Sequence, residues 1–282
     1  MRLALKEQIV YPSAMSPRPR FYAFFVVLFL LSVTGLGCQN PPIETITHLP
    51  TQETNEYYPP KWQPSEQGFE SILITNEGST STIGAMYAFD PTIFRFAIEV
   101  ASTSKSVAEW MNTSSSLIAV MNGAYFREDD SPAGLLIHEG LPQNARRFDA
   151  DKSAVIRLDP EPAIIDTNTE YSIEGTLEAA QSYPPLIYDG HFVITEDTGK
   201  MARRSFVGIR DDGFVVLGVI AKQELSLYEL SQLLNREEYR LNSALNMDGG
   251  SSTGLFTRDQ NLPLFNSVLP IPNVISVYKK SD

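Results

Sequence analysis

Three short segments carry the residues whose types and spacing suit chemistry. "AVMNGAYF" ends an apolar run at Asn122 and Gly123, and "ARRSFVG" starts another with Arg203 and Arg204. "ALNMDGGSSTGLF", residues 244–256, passes from an apolar run into a carboxylate and several small polar residues. Polar groups at the ends of buried strands are held firmly by the scaffold, as binding and catalytic sites require.

The third segment has the composition of a loop that binds anions or sugars. Asp248 is followed by four small residues, Gly249, Gly250, Ser251 and Ser252. Glycines let backbone N–H groups approach a ligand and serines add hydroxyls, so the segment could cradle phosphate or sugar oxygens. An arginine supplies forked donors that match a phosphate, and the aspartate could serve as general acid, general base or nucleophile.

Each segment also has a purely structural interpretation. Asn-Gly after a strand is commonly a turn, and an arginine that starts a strand is commonly a solvated edge residue. Asp-Gly alone is enough for a hairpin turn. Taken from the residues alone, a functional site and a set of turns therefore both stay open.

Motifs and charge exclude several other kinds of function. The sequence has no His-Glu-x-x-His, no Gly-x-x-x-x-Gly-Lys-Ser/Thr and no Gly-x-Gly-x-x-Gly motif, which disfavours zincins, P-loop proteins and dinucleotide binding. The formal net charge of -12 repels phosphate backbones, so we expect no nucleic-acid partner. The acidic segment Arg127–Asp130 could hold a divalent cation or be a solvated loop. We expect the solvated loop, and neither a metal nor another cofactor.

The elements that position these segments are mostly strands. Strand-like runs include "FESILITN", "TIGAMYAFD", "IFRFAIEVA", "SLIAVMN", "GLLIHEG", "SAVIRLD", "PAIIDTN", "LNSALNM" and "IPNVISVYK". Asp212–Gly213 predicts a hairpin turn, and a short helix is expected after Ser104. Ser226 and Glu229 form a capping box ahead of helically spaced leucines. This pattern predicts one α+β domain with a mixed or antiparallel β-sheet core and a few flanking helices.

The N-terminal part has the character of an export signal. Basic residues precede an apolar run from Phe21 to Gly37. This run is shorter than the roughly 20 residues that span a bilayer, and it resembles the h-region of a signal peptide. We expect residues 1–38 to be the signal. Translation from Met15 instead of Met1 would place the basic residues directly at the N-terminus.

The only cysteine, Cys38, follows the apolar run. "TGLGCQN" resembles a bacterial lipobox, although Gly35 stands where that motif usually has leucine. An ordinary cleaved signal and an uncleaved anchor are the alternatives. The resemblance implies lipidation at Cys38, a membrane anchor through that lipid, and an extracytoplasmic location in a bacterial cell envelope. Residues 39–66, rich in Pro, Thr, Glu and Gln, predict a disordered stalk, and residues 67–282 a globular domain.

Four segments together resemble one known family. "MNGAYF", "SPAGLLIHEG", "RSFVG" and "ALNMDGGSSTGL", in this order and at these separations, are similar to the phosphodiester glycosidases, the family of the lysosomal "uncovering enzyme" and its bacterial relatives. The similarity extends over residues 68–280. The chain departs from the family pattern at Ala124, Tyr183 and Ser251, where glycines are usual.

The resemblance implies an activity and a set of site residues. Members cleave the glycosidic bond of a sugar-1-phosphodiester, such as a GlcNAc-1-phosphodiester, on a cell-surface or extracellular glycan. The implied catalytic residues are Asp248, Arg204 and Asn122. The implied substrate-binding residues are Gly123, Gly249, Gly250, Ser251 and Ser252.

The resemblance also suggests a role for each of these residues. Arg204 and the glycine-rich backbone would hold the phosphodiester, and Asp248 would orient water or stabilise an oxocarbenium-like centre. Asn122 would bind a sugar hydroxyl or fix Asp248. The candidates for a second carboxylate are Glu128, Asp129, Asp130, Glu139 and Asp189.

A non-catalytic function competes with this one. The same pocket on a lipoprotein could bind a cell-wall polysaccharide without cleaving it. The combination of Arg204 with Asp248 favours an enzyme, because sugar-binding proteins rely more on aromatic platforms and amides.

Overall fold

Strands are the main regular structure of the described chain, which comprises residues 59–143, 149–167, 172 and 174–280 of the computed structural model. The strands are β1 (Gln63–Pro64), β2 (Glu70–Thr75), β3 (Thr82–Phe89), β4 (Phe94–Lys105), β5 (Leu117–Asn122), β6 (Leu136–His138), β7 (Leu141–Pro142), β8 (Ala154–Asp159), β9 (Ala163–Asp166), β10 (Glu178–Ser182), β11 (Pro185–Tyr188), β12 (His191–Phe192), β13 (Ala202–Arg210), β14 (Val215–Leu225), β15 (Leu241–Asn246), β16 (Leu255–Thr257) and β17 (Ile271–Lys279). The α-helices within these ranges are α1 (Val107–Met111) and α2 (Leu227–Leu234). Residues Glu237–Tyr239 and Gly250–Ser252 form short 3-10 turns.

The strands form three sheets, and every described pairing is antiparallel. The largest sheet has the order β1-β2-β3-β14-β13-β15-β11-β12. A second sheet has the order β7-β6-β10-β8-β9, and a third the order β16-β5-β17-β4. The ends of β5, β13 and β15, which carry the segments singled out by sequence, belong to two of these sheets.

The main hydrophobic core lies between the sheets. Its largest cluster includes Leu217 from the eight-stranded sheet, Ile275 from the four-stranded sheet and Ile156 from the five-stranded sheet, all fully buried. Alternation along each strand sends one set of side chains into this core. The strand ends therefore rest on a rigid base.

The two helices cover outer sheet faces instead of forming a layer of their own. In α2, Leu230 and Leu234 pack with Phe206 and Ile220 of the eight-stranded sheet. In α1, Trp110 joins a separate cluster on the four-stranded sheet. Both helices begin with a capping box, in which a serine accepts the N3 N–H and the N3 glutamate accepts the serine N–H.

The predicted α+β class is wrong, because the described fold is mainly β. Both predicted helices are present, and the hairpin turn at Asp212–Gly213 joins β13 to β14 as expected. The helices are nevertheless too short and too peripheral to build a second layer. The core is buried where the sheets pack against one another. The strands form three antiparallel sheets, whereas a single sheet was predicted.

The sheet begins within the segment expected to be a stalk. β1 pairs with β2, the Glu66 N–H donates to Asp259, and Trp62 packs against the outer cluster of the large sheet. The predicted signal peptide and Cys38 lie outside the described residues. Among the residues that the structure describes, no helix is long and apolar enough to cross a membrane.

Candidate active site

Asn122, the last residue of β5, ties three segments together. Its side chain is 1% exposed. The amide Nδ2 donates to the carbonyl oxygen of Asp248 at 2.6 Å. Its Oδ1 accepts from the Ser205 hydroxyl at 2.7 Å and from the Gly254 N–H at 3.1 Å. Of the two roles suggested for Asn122, this geometry corresponds to fixing the backbone at Asp248.

Gly123 allows two chain segments to approach closely. A Cβ at this position would lie 2.0 Å from Oδ1 of Asn273, and that oxygen accepts the Ala124 N–H at 2.7 Å. The Gly123 carbonyl accepts the Asp248 N–H at 3.3 Å. Gly123 is thus needed for packing beside Asp248. Ala124, where the family has glycine, has no positive φ, so its methyl group causes no backbone strain.

The pairing of β13 with β15 brings Arg204 and Asp248 together. Phe206 pairs with Asn246, and the Met247 N–H donates to the Ser205 carbonyl in the next step of the ladder. Continuing this register by two residues, past the end of β15, places Arg204 opposite Asp248. Opposite residues and residues two apart share a face. Arg204, Asn246 and Asp248 therefore lie on one face at the end of these strands.

Arg204 is a buried cation held by neutral groups. It is 8% exposed. Its Nε donates to the Leu225 carbonyl at 2.8 Å and its Nη2 to the Lys200 carbonyl at 2.5 Å. Burial lowers the pKa of Arg204 from its ordinary value, while the nearby Tyr125 raises it. Within the described ranges no carboxylate forms an ion pair with this guanidinium, so its charge is available to attract an anion.

Asp248 is a carboxylate in a desolvated position. Burial raises its pKa, and the Ser252 hydroxyl and the Gly249 N–H act in the opposite direction. The Gly249 N–H donates to Oδ1 at 3.0 Å. A carboxylate held by donors but poorly hydrated is suited to act as a base or to stabilise positive charge.

The glycine-rich segment wraps around this carboxylate. A Cβ on Gly249 would lie 2.7 Å from the Arg203 carbonyl, and Gly250 has a φ of 61°. The Nε of Arg203 donates to the Gly250 carbonyl at 2.9 Å and so stabilises the turn. Ser251 is exposed, and its carbonyl accepts the N–H groups of residues 268 and 269. The segment predicted to cradle a ligand thus directs at least two donors, the Gly249 N–H and the Ser252 hydroxyl, to Asp248 itself.

Residues 250–254 also have the spacing Gly-x-Ser-x-Gly, with Ser252 at the centre. In α/β-hydrolases that motif joins a strand to a helix and exposes the serine. Here it forms a 3-10 turn followed by β16, and Ser252 is buried. His138 pairs with Glu178, and His191 is exposed on β12. The surroundings do not match a serine-hydrolase elbow.

Tyr125 lies near both Arg204 and Asp248. Its hydroxyl accepts a hydrogen bond from Nδ2 of Asn246 at 2.7 Å. Burial raises the pKa of Tyr125, the charges of Asp248 and Tyr183 raise it further, and Arg204 lowers it. Tyr125 therefore lies within electrostatic reach of both Arg204 and Asp248 and keeps its proton at neutral pH.

Sequence reasoning missed a neighbouring group of residues. Lys152 places its Nζ 4.8 Å from the centre of the Tyr183 ring and 5.6 Å from that of Tyr125. These two rings lie 5.1 Å apart, and Asn246 donates to the Tyr183 carbonyl at 2.9 Å. Tyr125 could have been identified from the sequence, because it is an aromatic residue of the segment "NGAYF". Nothing local marks Lys152 as a site residue, because its aromatic partners Tyr125 and Tyr183 are distant in the chain.

The five candidates for a second carboxylate lie in turns. Asp130, Glu139 and Asp189 have positive φ angles between 48° and 63°. Glu128 and Asp129 are exposed, and Asp129 accepts from Ser131. None of the five has a described hydrogen bond or ion pair to Asp248, Arg204 or Tyr125. Asp149 instead approaches the site, through its ion pair with Lys152 at 3.3 Å. Among the residues with described positions, no three metal-ligating side chains form a group that could hold a metal ion.

One family profile matches the chain. Residues 115–278 match the model for phosphodiester glycosidases, a range that is more than half of the sequence and includes Asn122, Arg204 and Asp248. No curated protein matches the chain by sequence.

Two solved structures share the fold. A hypothetical protein from Synechocystis is 14% identical over 80% of this chain and 64% of its own length, with a TM-score of 0.56. This chain therefore spans less than two thirds of that protein. The catalytic domain of zebrafish N-acetylglucosamine-1-phosphodiester alpha-N-acetylglucosaminidase, auto-inhibited by its pro-peptide, is 16% identical over 79% of this chain and 89% of its own length, with a TM-score of 0.57. At these identities the likeness concerns the fold.

Proposed function

The chain belongs to the phosphodiester glycosidase family, and we propose that it hydrolyses the glycosidic bond of a sugar-1-phosphodiester on a cell-surface or extracellular glycan. Water adds to the anomeric carbon. The bond between that carbon and the phosphate oxygen breaks, and its electron pair leaves with the phosphate. The products are a free sugar and a phosphomonoester.

One observation carries this proposal. A buried guanidinium without a described carboxylate partner and a half-buried carboxylate lie on one face at the ends of neighbouring strands. The reaction needs a cation for the anionic leaving group and a negative or basic group for the anomeric carbon. Arg204 and Asp248 have these properties.

Arg204 would bind the phosphate throughout the reaction. Two of its donors are committed to backbone carbonyls, which fix the plane of the guanidinium and leave the remaining donors for phosphate oxygens. As the glycosidic bond breaks, negative charge grows on the leaving phosphate. A preorganised cation in a desolvated site stabilises that charge more than water does.

Asp248 would act at the sugar. In its ionised form it can orient the attacking water and accept its proton, or stabilise positive charge at the anomeric carbon. Asn122 acts as a positioning residue through the Asp248 carbonyl. Phosphate is a good leaving group, so the mechanism does not require a strong general acid.

Sequence features support a location outside the cytoplasm. The apolar segment before Cys38 and the Pro-rich segment after it suit a lipid-anchored protein of a bacterial envelope. In a bacterial host, the wild type should sediment with membranes, and Cys38→Ala should be released or remain unprocessed. Unchanged sedimentation and processing of Cys38→Ala would exclude the lipid anchor.

The activity is tested with methyl-phospho-α-N-acetylglucosamine, because the zebrafish neighbour is named for a GlcNAc-1-phosphodiester. The full chain in detergent should release free N-acetylglucosamine, and Asp248→Asn and Arg204→Met should lose at least about 100-fold in kcat/KM. Asp211→Asn and Arg240→Met are matched controls, because these residues form an exposed ion pair at the other end of β13. Glycan binding by a folded wild type without turnover would favour the polysaccharide-binding alternative.

A further inference from the structure

We propose that Lys152 is a second cation for the substrate phosphate, so that the phosphodiester binds between Lys152 and Arg204 beside the Tyr125 hydroxyl. The identity of the ligand as a phosphodiester rests on the proposed function. Anion binding at Lys152 is a separate claim that can be measured without turnover.

Lys152 is a buried ammonium group next to the site. The residue is 7% exposed, and lysines are almost never this buried unless they are paired or functional. Its Nζ lies over the faces of Tyr183 and Tyr125. The ring faces stabilise the charge but accept no conventional hydrogen bond.

The carboxylate partner of Lys152 among the described residues, Asp149, leaves donors available. Lys152 Nζ lies 3.3 Å from Oδ2 of Asp149, which is longer than the roughly 2.7–2.9 Å of a strong charge-assisted bond. Asp149 also accepts the Asp151 N–H through Oδ1. An ammonium group has three donors. Asp149 orients Lys152 through one of them, and no other hydrogen-bond partner of Nζ occurs within residues 59–143, 149–167, 172 and 174–280, so two donors can bind a ligand.

The surrounding chain is arranged around this lysine. A Cβ on Gly134 would lie 2.9 Å from Cδ of Lys152, so glycine there leaves room for the lysine stem. The Gln181 amide Nε2 donates to the Lys152 carbonyl at 2.9 Å and to the Asp149 carbonyl at 2.7 Å. Its Oε1 accepts the Asp149 N–H at 2.9 Å. The fold therefore fixes both the backbone and the stem of Lys152.

Tyr125 relates Lys152 to Arg204. The ring of Tyr125 lies beneath Lys152 Nζ, and its hydroxyl is within electrostatic reach of Arg204. Because the hydroxyl accepts from Asn246, its own hydrogen is free to be donated to a ligand oxygen. Two buried cations, Lys152 and Arg204, thus both lie near Tyr125 in a protein whose net charge is -12. A phosphodiester has two non-bridging oxygens, one for each cation.

The test is calorimetric binding of methyl phosphate and of N-acetylglucosamine to the full chain. Lys152→Met should weaken methyl phosphate binding at least about tenfold and leave N-acetylglucosamine binding unchanged, whereas Lys152→Arg should keep most of the phosphate affinity. Lys222→Met, an exposed lysine on β14, is the matched control. Equal phosphate affinity in the wild type and a folded Lys152→Met, or no phosphate binding by the wild type, overturns the proposal.

The two proposals fail in different ways. If the wild type cleaves the phosphodiester and Lys152→Met does so with unchanged KM, the role of Lys152 is refuted and the proposed function stands. If phosphate binding depends on Lys152 but no phosphodiester is cleaved, the anion site stands and the proposed function is refuted. Should Lys152→Met fail to fold, Lys152→Gln is measured with the same two ligands.

Discussion

At the scale of single residues, the site depends on charges that the fold keeps away from water. Asp248 and Arg204 are both desolvated, and their pKa values move in the directions that burial dictates. Keeping such groups ionised costs stability, which proteins tolerate where the charge has a function.

Asp248→Asn should therefore not destabilise the protein at neutral pH. Burial raises the pKa of Asp248 above its ordinary value of 3.8. The stabilisation that the Asp248 side chain contributes to the folded state is therefore fully present only below pH 3.8, and it is lost as the pH rises through the pKa of Asp248 in the folded protein. At neutral pH the ionised carboxylate is unfavourable. Thermal melting from acid to neutral pH should show the variant as stable as the wild type or more stable at neutral pH, with the advantage shrinking in acid. A clear drop in melting temperature at neutral pH would mean that Asp248 is a structural turn residue.

Asn122→Ala should lose both stability and activity. It leaves the Asp248 carbonyl, the Ser205 hydroxyl and the Gly254 N–H without their partner. An unsatisfied buried polar group costs about 1–3 kcal/mol, so we expect a loss of about 2–4 kcal/mol in urea unfolding. The exposed Asn242→Ala on β15 is the control. An inactive Asn122→Ala of wild-type stability would indicate direct substrate contact instead.

At the scale of elements, the site is made where strand ends meet a tight turn. Gly250→Ala and Gly199→Ala form a matched pair, because Gly250 has a φ of 61° and Gly199 a φ of 65°, each with open space where a methyl group would lie. Each should lose about 1–2 kcal/mol for the left-handed backbone, measured by urea unfolding. Only Gly250→Ala should also lose activity, because it alone belongs to the turn that holds Asp248. Equal activity of the two variants would show that the turn at Gly250 is not required for catalysis.

The elements that sequence predicted are those with a local signal. Apolar runs bounded by turn residues marked β3 and β13, and a capping box marked α2. β10 has no such signal, since "EAAQS" is polar and weakly β-forming. All five of its residues are buried, and Glu178, Gln181 and Ser182 bind backbone groups of other segments. Only the tertiary structure provides those partners.

The same distinction applies to the site. Asp248, Arg204 and Asn122 were predicted as site residues because motifs surround them. Lys152 lies beside Tyr125 and Tyr183 only in the folded chain, because both tyrosines are distant from it in sequence. The fold class was mispredicted for a related reason, since a helix visible in sequence does not show whether it forms a layer.

At the scale of the whole molecule, the ordered domain includes residues from the expected stalk. A fragment of residues 59–282 should melt several degrees higher than one of residues 67–282. The shorter fragment lacks β1, the packing of Trp62 and the bond from Glu66 to Asp259, and about 1 kcal/mol changes the melting temperature of a domain of this size by about 2–4 °C. Equal melting temperatures would place residues 59–66 functionally within the stalk.

The bond that is cleaved decides between a glycosidase and an ordinary phosphodiesterase on this fold. Hydrolysis of methyl-phospho-α-N-acetylglucosamine in ¹⁸O-labelled water, followed by mass spectrometry of the methyl phosphate, measures it directly. Attack at the anomeric carbon puts the new oxygen in the sugar, so we expect unlabelled methyl phosphate from the wild type and no product from Asp248→Asn. Methyl phosphate that carries ¹⁸O, or N-acetylglucosamine-1-phosphate as the product, would show attack at phosphorus and refute the proposed glycosidase reaction.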